Sequence, residues 1–477
     1  MTNINSQDLH DLVFMYTSDK IVATYHDKAR DIYSAKTHND EDRYQIFVLS
    51  KNVKGVHIRL ADKARGGIRI STSADEFYYE CQHLVTVQRR KNVFCSVSGS
   101  KGCLYPLCAD RLLAFKDYIQ GIVHLFNNDE HDNMFFCAAD VGTGSYLGEA
   151  VTIARNEKFW MADVMVSGTS QGFHHKQLGI TSRGAIESIK EIEKTLSLTK
   201  PYSLVAIGSP RGDVLSNLFR HYRSNDCSNL NLIKAVSSQY VMINNGHNIS
   251  ADVLKLIEEE KGWEHLKRVH IIKRTDLSAN DLKSLLQEPC DILYFGGVGT
   301  YIGSTSEATA NPKLLSARDV QAKMIIEGAN LGCTKASRRE MTAILHGDFF
   351  DNSSAVILSD YEVNIKFALN SSDVSEWSDM VANHVIEKRR RLNQLVTLNK
   401  GLLTRLSYVE MLYDYAMAFK HTLSNITFSK SLNVIAVQHY FPRSIIEQVS
   451  DIDEMIQSHP LIKEITVLSI LEIIVGL

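Results

Sequence analysis

The chain has no CxxC pair, no strong excess of either charge, no long unbroken apolar run and no internal repeat, and each absence removes a class of protein. Its eight cysteines, at positions 81, 95, 103, 108, 137, 227, 290 and 333, are scattered. They offer no disulfide framework, and reduced thiols in a cytosolic compartment are the expectation. Cys103 and Cys108 lie close together, but no His or Cys pair completes a ligand set, so no metal is expected. A formal charge of -3 gives no general argument for nucleic acid. The most apolar stretch, LIKEITVLSILEIIVGL, is short and interrupted by Lys463, Glu464 and Glu472. It predicts a buried or partner-covered helix rather than a membrane span. Asp8, Asp11 and Asp19 argue against a signal or transit peptide, which leaves the cytoplasm as the expected location.

What is present is the composition of an ordinary globular protein, 44% hydrophobic and 22% charged. At 477 residues the chain is about two to three times the usual domain size, so at least two domains are expected. Residues 1 to 42 carry no motif and read as an extension or docking segment. From Tyr44, YQIFVLS and GVHIRLA are strand-like runs separated by KNVK, which fits a pair in one sheet. VAI at 205 to 207, LIKAV at 232 to 236, VHII at 269 to 272, DILYF at 291 to 295, MII at 324 to 326 and AVIL at 355 to 358 also read as strands. Helical or loop sequence separates them, and this alternation suggests an open, largely parallel α/β sheet. From about Ser375 helical patterns dominate, as in MVANHVIEKRRRLNQLV.

The organising stretch is LVAIGSPRGDVLSNL, from Leu204 to Leu218. A buried strand stops at Gly208, and an apolar helical stripe of Val214, Leu215, Leu218 and Phe219 resumes after Gly212. Such a turn aims backbone N–H groups outward at a helix N-terminus, a natural site for pyrophosphate. An ordinary βα turn shares the pattern, and the spacing here is AxGxxxG rather than GxGxxG.

Upstream, ARGGIRIS sets Gly66 and Gly67 between Arg65 and Arg69. The backbone there either passes close to a ligand between fixed positive charges or turns between two solvated arginines. A helix over DEFYYECQHLVTVQRRKNV ends in Arg89, Arg90 and Lys91, which suits the helix dipole without any ligand. GSKGC places Lys101 between Gly99 and Gly102, where partial burial would lower its pKa toward a useful range. MFFCAADVGTGS reads as a core strand delivering Asp140 to a Gly-Thr-Gly turn. That is the place of a ligand-holding or catalytic carboxylate and equally of a turn former. After LIKAV, where many dinucleotide sites place an acid for the ribose, stand Ser237 and Ser238.

Taken in order, ARGGIRIS, RRKNV followed by GSKGC, AADVGTGS, GITSRGA, the glycine turn, DILYFGGVGTY, EGANLG and DNSSAVILSDYEVNIK form a specific set. The set resembles the catalytic core of the large NAD-dependent glutamate dehydrogenases, over about residues 43 to 370, without their very long N-terminal region. The resemblance implies a two-lobed α/β amino-acid dehydrogenase fold. Its substrate domain would take residues 43–181, a Rossmann-like dinucleotide-binding domain residues 182–360 across a cleft, and a helical region, 361–477, would complete the substrate domain. It implies oxidative deamination of an amino acid, L-glutamate to 2-oxoglutarate and ammonia, with hydride transfer to NAD.

By similarity, Arg65 stands near the substrate side-chain carboxylate, Lys91 at the α-carboxylate, and Ser359 at a second contact to the substrate carboxylate. Lys101 stands at the catalytic lysine and Asp140 at the catalytic acid/base. Thr181 lies where the nicotinamide carboxamide is expected, and Gly208, Ser209, Gly212 and Ser237 belong to the cofactor turn and ribose position. The departures are Ala206 for a turn glycine, Arg211 beside the phosphates and Ser237 for the ribose acid. Loss of that acid removes repulsion toward a 2′-phosphate and so admits NADP. The implied associations are a small-molecule substrate and a homo-oligomer, with no nucleic acid or membrane. The other reading, motivated by the altered turn and the absent acid, is a degenerate dehydrogenase homologue with a binding or regulatory role.

Overall fold

Eight strands from the first part of the chain form one sheet, and six from the middle form another. The computed structural model describes residues 4–38, 43–129, 134–169, 172–197, 202–208, 216–218, 220, 230–236, 240–244, 269–273, 283–284, 286–296, 299–398 and 405–477. The chain divides into two compact units. One comprises residues 1–174, 356–381 and 416–475, the other residues 175–355, 382–415 and 476–477.

In the first unit the strands are β1 (Lys20–Asp27), β2 (Ile32–His38), β3 (Tyr44–Leu49), β4 (Val53–Arg59), β5 (Lys63–Ile70), β6 (Ser98–Pro106), β7 (Met134–Ala139) and β8 (Val166–Ser167). Their order is β1-β2-β3-β4-β6-β5-β7-β8. Pairing is antiparallel from β1 to β6 and parallel from β6 to β8. The runs YQIFVLS and GVHIRLA are β3 and β4, paired as their pattern suggests. Residues 6–38, read from sequence as an extension, instead build α1 (Ser6–Tyr16) and the two strands at one edge of the sheet. Leu9, Leu12 and Val13 are buried on α1, whose start is capped by Asn5. The sequence hides β1 because all its residues but the last are exposed or half-exposed, with Lys20 and Asp27 charged at its ends.

Alternation along β6 assigns a helix to each face of this sheet. A side chain at Gly99 would meet Gln88 of α2 (Phe77–Lys91) at 2.8 Å, so α2 covers the face that carries Gly99, Lys101 and Cys103. A side chain at Gly102 would meet the Tyr118 hydroxyl at 2.5 Å, so α3 (Arg111–Asn128) covers the opposite face. There Phe115, Tyr118, Ile119 and Ile122 join Ile68, Ile70 and Leu104 in the core.

In the second unit the strands are β9 (Tyr202–Ile207), β10 (Leu230–Val236), β11 (Tyr240–Asn244), β12 (Val269–Lys273), β13 (Ile292–Phe295), the short pair β14 (Ile302–Gly303) and β15 (Leu315–Ser316), and β16 (Met324–Glu327). The main sheet runs β12-β11-β10-β9-β13-β16. Its four strands from β10 to β16 are parallel, but β11 pairs antiparallel to both β10 and β12. The sheet is therefore mixed, where the sequence suggested a largely parallel one. AVIL at 355 to 358 is a second correction: it lies in the helix Ser354–Ala368. A short apolar run cannot by itself separate a core strand from a helix buried all round, and from Ser354 to Val363 only one residue escapes full burial.

Between β5 and β6 the backbones approach closely enough that a Cβ at Gly66 would lie 1.8 Å from the Ser100 carbonyl oxygen. Gly66→Ala must therefore push one strand off the other. It should destabilise the protein by at least ~2 kcal/mol in chemical denaturation, at the upper end of overpacking effects.

Candidate active site

Strand parity gathers the charged groups of the first unit. In the parallel register of β5, β6 and β7, Arg65 lies beside Gly99 and Phe136, and Gly67 beside Ala138. Positions 65, 67 and 69 therefore share the face that carries Lys101, and Asp140 follows directly where β7 ends. Lys101 Nζ donates to Asp140 Oδ2. Arg69 holds the other carboxylate oxygen, Nη2 to Oδ1 at 3.2 Å, and gives its Nη1 to Glu80 of α2 at 2.7 Å. The Asp140 amide donates to Thr143 Oγ1 at 3.0 Å, and that hydroxyl donates to the Ile68 carbonyl at 2.7 Å, tying the turn to β5. Gly67 lies under the pair: a Cβ there would stand 3.1 Å from Lys101 Nζ and 3.2 Å from Asp140 Cβ.

Lys101 is only 2% exposed. Burial, followed by the positive charges of Arg69 and Lys91, pushes its ammonium down to about 7. The Asp140 carboxylate against it acts in the opposite direction. An ammonium whose folded pKa lies below its unfolded value is charged more readily in the unfolded chain. From about pH 7 up to the ordinary lysine range the unfolded state thus binds more protons, and this group makes stability rise with pH.

Arg65 is 4% exposed, yet its guanidinium makes no hydrogen bond or ion pair among the described residues, and its Nε is buried without a partner. Burial lowers its pKa, while the charges of Asp360 and Glu362 act to raise it. Those two carboxylates flank the helix position of Ser359, which is fully buried. Asp360 itself is engaged, accepting from the Ser96 amide and hydroxyl at 2.9 and 2.7 Å and from the Tyr440 hydroxyl at 2.7 Å. Lys91, the last residue of α2, is also buried. The first unit thus brings Lys101, Asp140 and Arg69 into contact, with Lys91 within electrostatic range of Lys101 and Arg65 within range of the Ser359 helix.

The cofactor candidates belong to the second unit. Thr181 is buried in the first turn of the helix Ile180–Leu196, and Gly208 directly follows β9. Ser209, Gly212 and Ser237 lie outside the described residues, as does Arg211. Ala206 is not in the turn: it is buried within β9, opposite Ala235 and Tyr294. From β9 the chain first adds strands on the β10 side and then returns to β13 on the other, which makes the end of β9 a topological switch point. There Gly208 has φ +148, and a Cβ on it would lie 2.8 Å from the Gly296 carbonyl carbon. The Gly296 amide donates to the Ile207 carbonyl at 2.6 Å. The two backbones are thus closely packed at the strand end, the position where sheets of this topology bind ligands. At the end of the neighbouring strand β16, Glu327 accepts from Arg338 Nε and Nη2 at 2.9 Å each, and Arg338 also pairs with Asp348 at 2.7 Å. Asp348 in turn accepts from the Leu331 amide at 2.9 Å, so buried charges fix the loop after β16.

From sequence, Arg69 was bracketed with Arg65 around a possible ligand but given no role, and Glu80 and Thr143 were not placed in the site. The signal for Arg69 was its period-two spacing from Arg65, which fixes a shared face once ARGGIRI is read as a strand rather than a turn.

A switch-point crevice in one α/β unit and a buried lysine–aspartate pair among arginines in another define a protein of the two-domain dehydrogenase class. The crystal structure of Plasmodium falciparum glutamate dehydrogenase matches with a TM-score of 0.59 at 14% identity, covering 86% of this chain and 85% of that one. At that identity the likeness is one of fold. The family model described as bacterial NAD-glutamate dehydrogenase, catalytic domain, matches residues 30–119, 109–244 and 231–399. The NAD-specific glutamate dehydrogenase of Pseudomonas aeruginosa is 32% identical over 404 residues, 71% of this chain and 25% of that protein. The protein of the same name from Mycobacterium tuberculosis is 30% identical over 414 residues, 69% of this chain and 25% of that protein. The chain belongs to the bacterial NAD-glutamate dehydrogenase family, through its catalytic domain. It spans about a quarter of the length of these curated relatives.

The opposing influences on Lys101 can be separated. Asp140→Asn removes the group that favours the ammonium, so the Lys101 pKa should fall below its value in the parent protein. The pH dependence of lysine acylation at this position, read by mass spectrometry, measures it; an unchanged or raised value would contradict the pairing.

Proposed function

We propose that this chain catalyses the oxidative deamination of L-glutamate to 2-oxoglutarate and ammonia with NAD as hydride acceptor. The observation that carries the reading is the buried Lys101–Asp140 pair, in which burial and neighbouring cations push the ammonium to about 7. The names of the curated relatives support the substrate and the cofactor.

In this reading the carboxylates of the substrate are fixed first. Arg65, a buried cation with no protein partner among the described residues, takes the side-chain carboxylate, assisted by the Ser359 hydroxyl. Lys91 takes the α-carboxylate. Holding both ends orients the Cα–H bond and replaces a costly search over orientations. Thr181 and the backbone at the end of β9 would hold NAD, which would supply the acceptor for the hydride from Cα.

Loss of hydride leaves an imine on the substrate, and hydrolysis follows. Lys101, with a pKa near neutrality, gives up its proton readily; as the free amine it activates a water for attack on the imine carbon. Asp140 carries a proton to the departing ammonia, its carboxylate held by Arg69 and its backbone amide by Thr143. The reduced environment implied by free cysteines, buried except for Cys108 among those described, accords with a cytoplasmic enzyme. No helix among the described residues is long and apolar enough to cross a membrane. Self-association into a homo-oligomer belongs to the same proposal, with the exposed Ile473 and Ile474 as surface for it. A degenerate, non-catalytic homologue is the weaker reading, because it gives no reason for the Lys101–Asp140 contact.

Glutamate-dependent formation of reduced nicotinamide tests the proposal. NAD should support turnover, and Lys101→Ala should lower kcat by ~10³-fold or more with the fold retained, as for loss of a general acid–base group. Arg65→Met should chiefly raise the KM for glutamate. Absence of turnover with both NAD and NADP across several amino acids would overturn it.

A further inference from the structure

The first unit contains a second cationic site away from the Lys101–Asp140 pair. A cavity of about 1180 Å³ opens between the β4–β5 link, the end of α2 with the segment after it, and the helices Arg405–Leu423 and Ile462–Val475. Lys63, Arg89, Lys420, His421 and Lys463 line it, against two carboxylates, Asp62 and Glu464. Glu464 is already engaged by Lys63, at 2.8 Å. Lys420 is anchored on main-chain oxygens at the end of α2, donating to the Cys95 carbonyl at 2.5 Å. Arg89 and Lys463 make no hydrogen bond or ion pair among the described residues. Leu60, Val93 and Val467 give the cavity an apolar wall.

Its place in the sheet separates it from the Lys101–Asp140 pair, while Arg65 and Lys91 stand two positions from its lining residues Lys63 and Arg89. Lys63 opens β5 and Ser98 opens β6, whereas Arg69 and Asp140 lie at the far ends of β5 and β7. Six residues of strand between Lys63 and Arg69 correspond to ~20 Å. Lys420, His421 and Lys463 also lie beyond residue 399, the last matched by the family model.

We propose that this cavity binds a multiply charged small organic anion, a polycarboxylate or a phosphate ester, with Arg89 and Lys463 as its principal contacts. Arg89, which is exposed, and Lys463, which is half-buried, line the same concave surface without a described protein partner, and an anion held there would neutralise both. The open cavity, at about 1180 Å³, is somewhat larger than a usual small-molecule pocket, and its apolar wall suits a carbon skeleton between the charged ends.

Calorimetric titration of the full chain at low ionic strength, with citrate and with inorganic pyrophosphate in separate arms, tests the proposal. At least one probe should bind with one site per chain, and the arm that binds identifies carboxylate or phosphate chemistry. Arg89→Gln combined with Lys463→Gln should weaken binding at least about tenfold, each single variant by less, and saturating glutamate should leave it unchanged. Because neither side chain has a protein partner to lose, the variants should keep the parent melting temperature. Absence of saturable binding in both arms, binding unaltered in the double variant, or displacement by glutamate would overturn the proposal. This readout does not use turnover, so it stands or falls separately from the proposed reaction.

Discussion

Positive charge held away from water is the constraint around which the first unit is arranged. Arg65, Lys91 and Lys101 are buried, and Arg69 is largely so. Removing an ion from water costs several kcal/mol unless a partner offsets it. The unit answers in a different way at each position. Arg69 spans two carboxylates, Lys101 lies against one of them, and Arg65 is left with distant charges on the helix behind it. An interior with more cation than anion at contact distance is poised for an anionic ligand. Lys101 has a second outlet, because burial brings its pKa to about 7 and it can shed its charge near neutrality.

That arrangement depends on strands being packed closely enough for side chains to converge. Glycines at 66, 67, 99 and 102 leave no side chain between β5, β6 and the helices above and below them. The Gly67 vacancy is occupied by the Lys101 and Asp140 side chains themselves, and the Gly102 vacancy by the Tyr118 hydroxyl, which donates to the Val56 carbonyl at 3.0 Å. The same small residues thus serve the core on one face of the sheet and the charged groups on the other.

The local signals that were legible in the sequence were those with a strong chemical punctuation. Continuous apolar runs gave β3, β4, β9 and β13, and a carboxylate directly after MFFCAA gave Asp140 its place at a strand end. What was not legible depended on partners distant in sequence. β1 is a largely exposed strand and β2 a mostly buried one carrying polar residues such as Ser34, Lys36 and Thr37, and their pairing partners, not their composition, make them strands. AVIL became helix because apolar surroundings cover it on every side, which no local periodicity announces. β11 went unread, although the three residues between Val236 and Tyr240 are too few for a parallel crossover from β10. Arg69 was visible as a charge, but its role comes from Glu80 on α2 and Asp140 on another strand.

The crevice at Gly208 is made of main chain: one glycine backbone lies against another, and the closest atoms are the carbonyl and Cα of Gly296. A surface of that kind presents amide dipoles and shape, and it is indifferent to the identity of the side chains around it. Substitution can then accumulate in the flanking positions, as at Ala206 inside β9, without altering the groups a ligand would meet. Motif searches keyed to side-chain letters will understate such a site, because what persists there is a path of the backbone rather than a spelling.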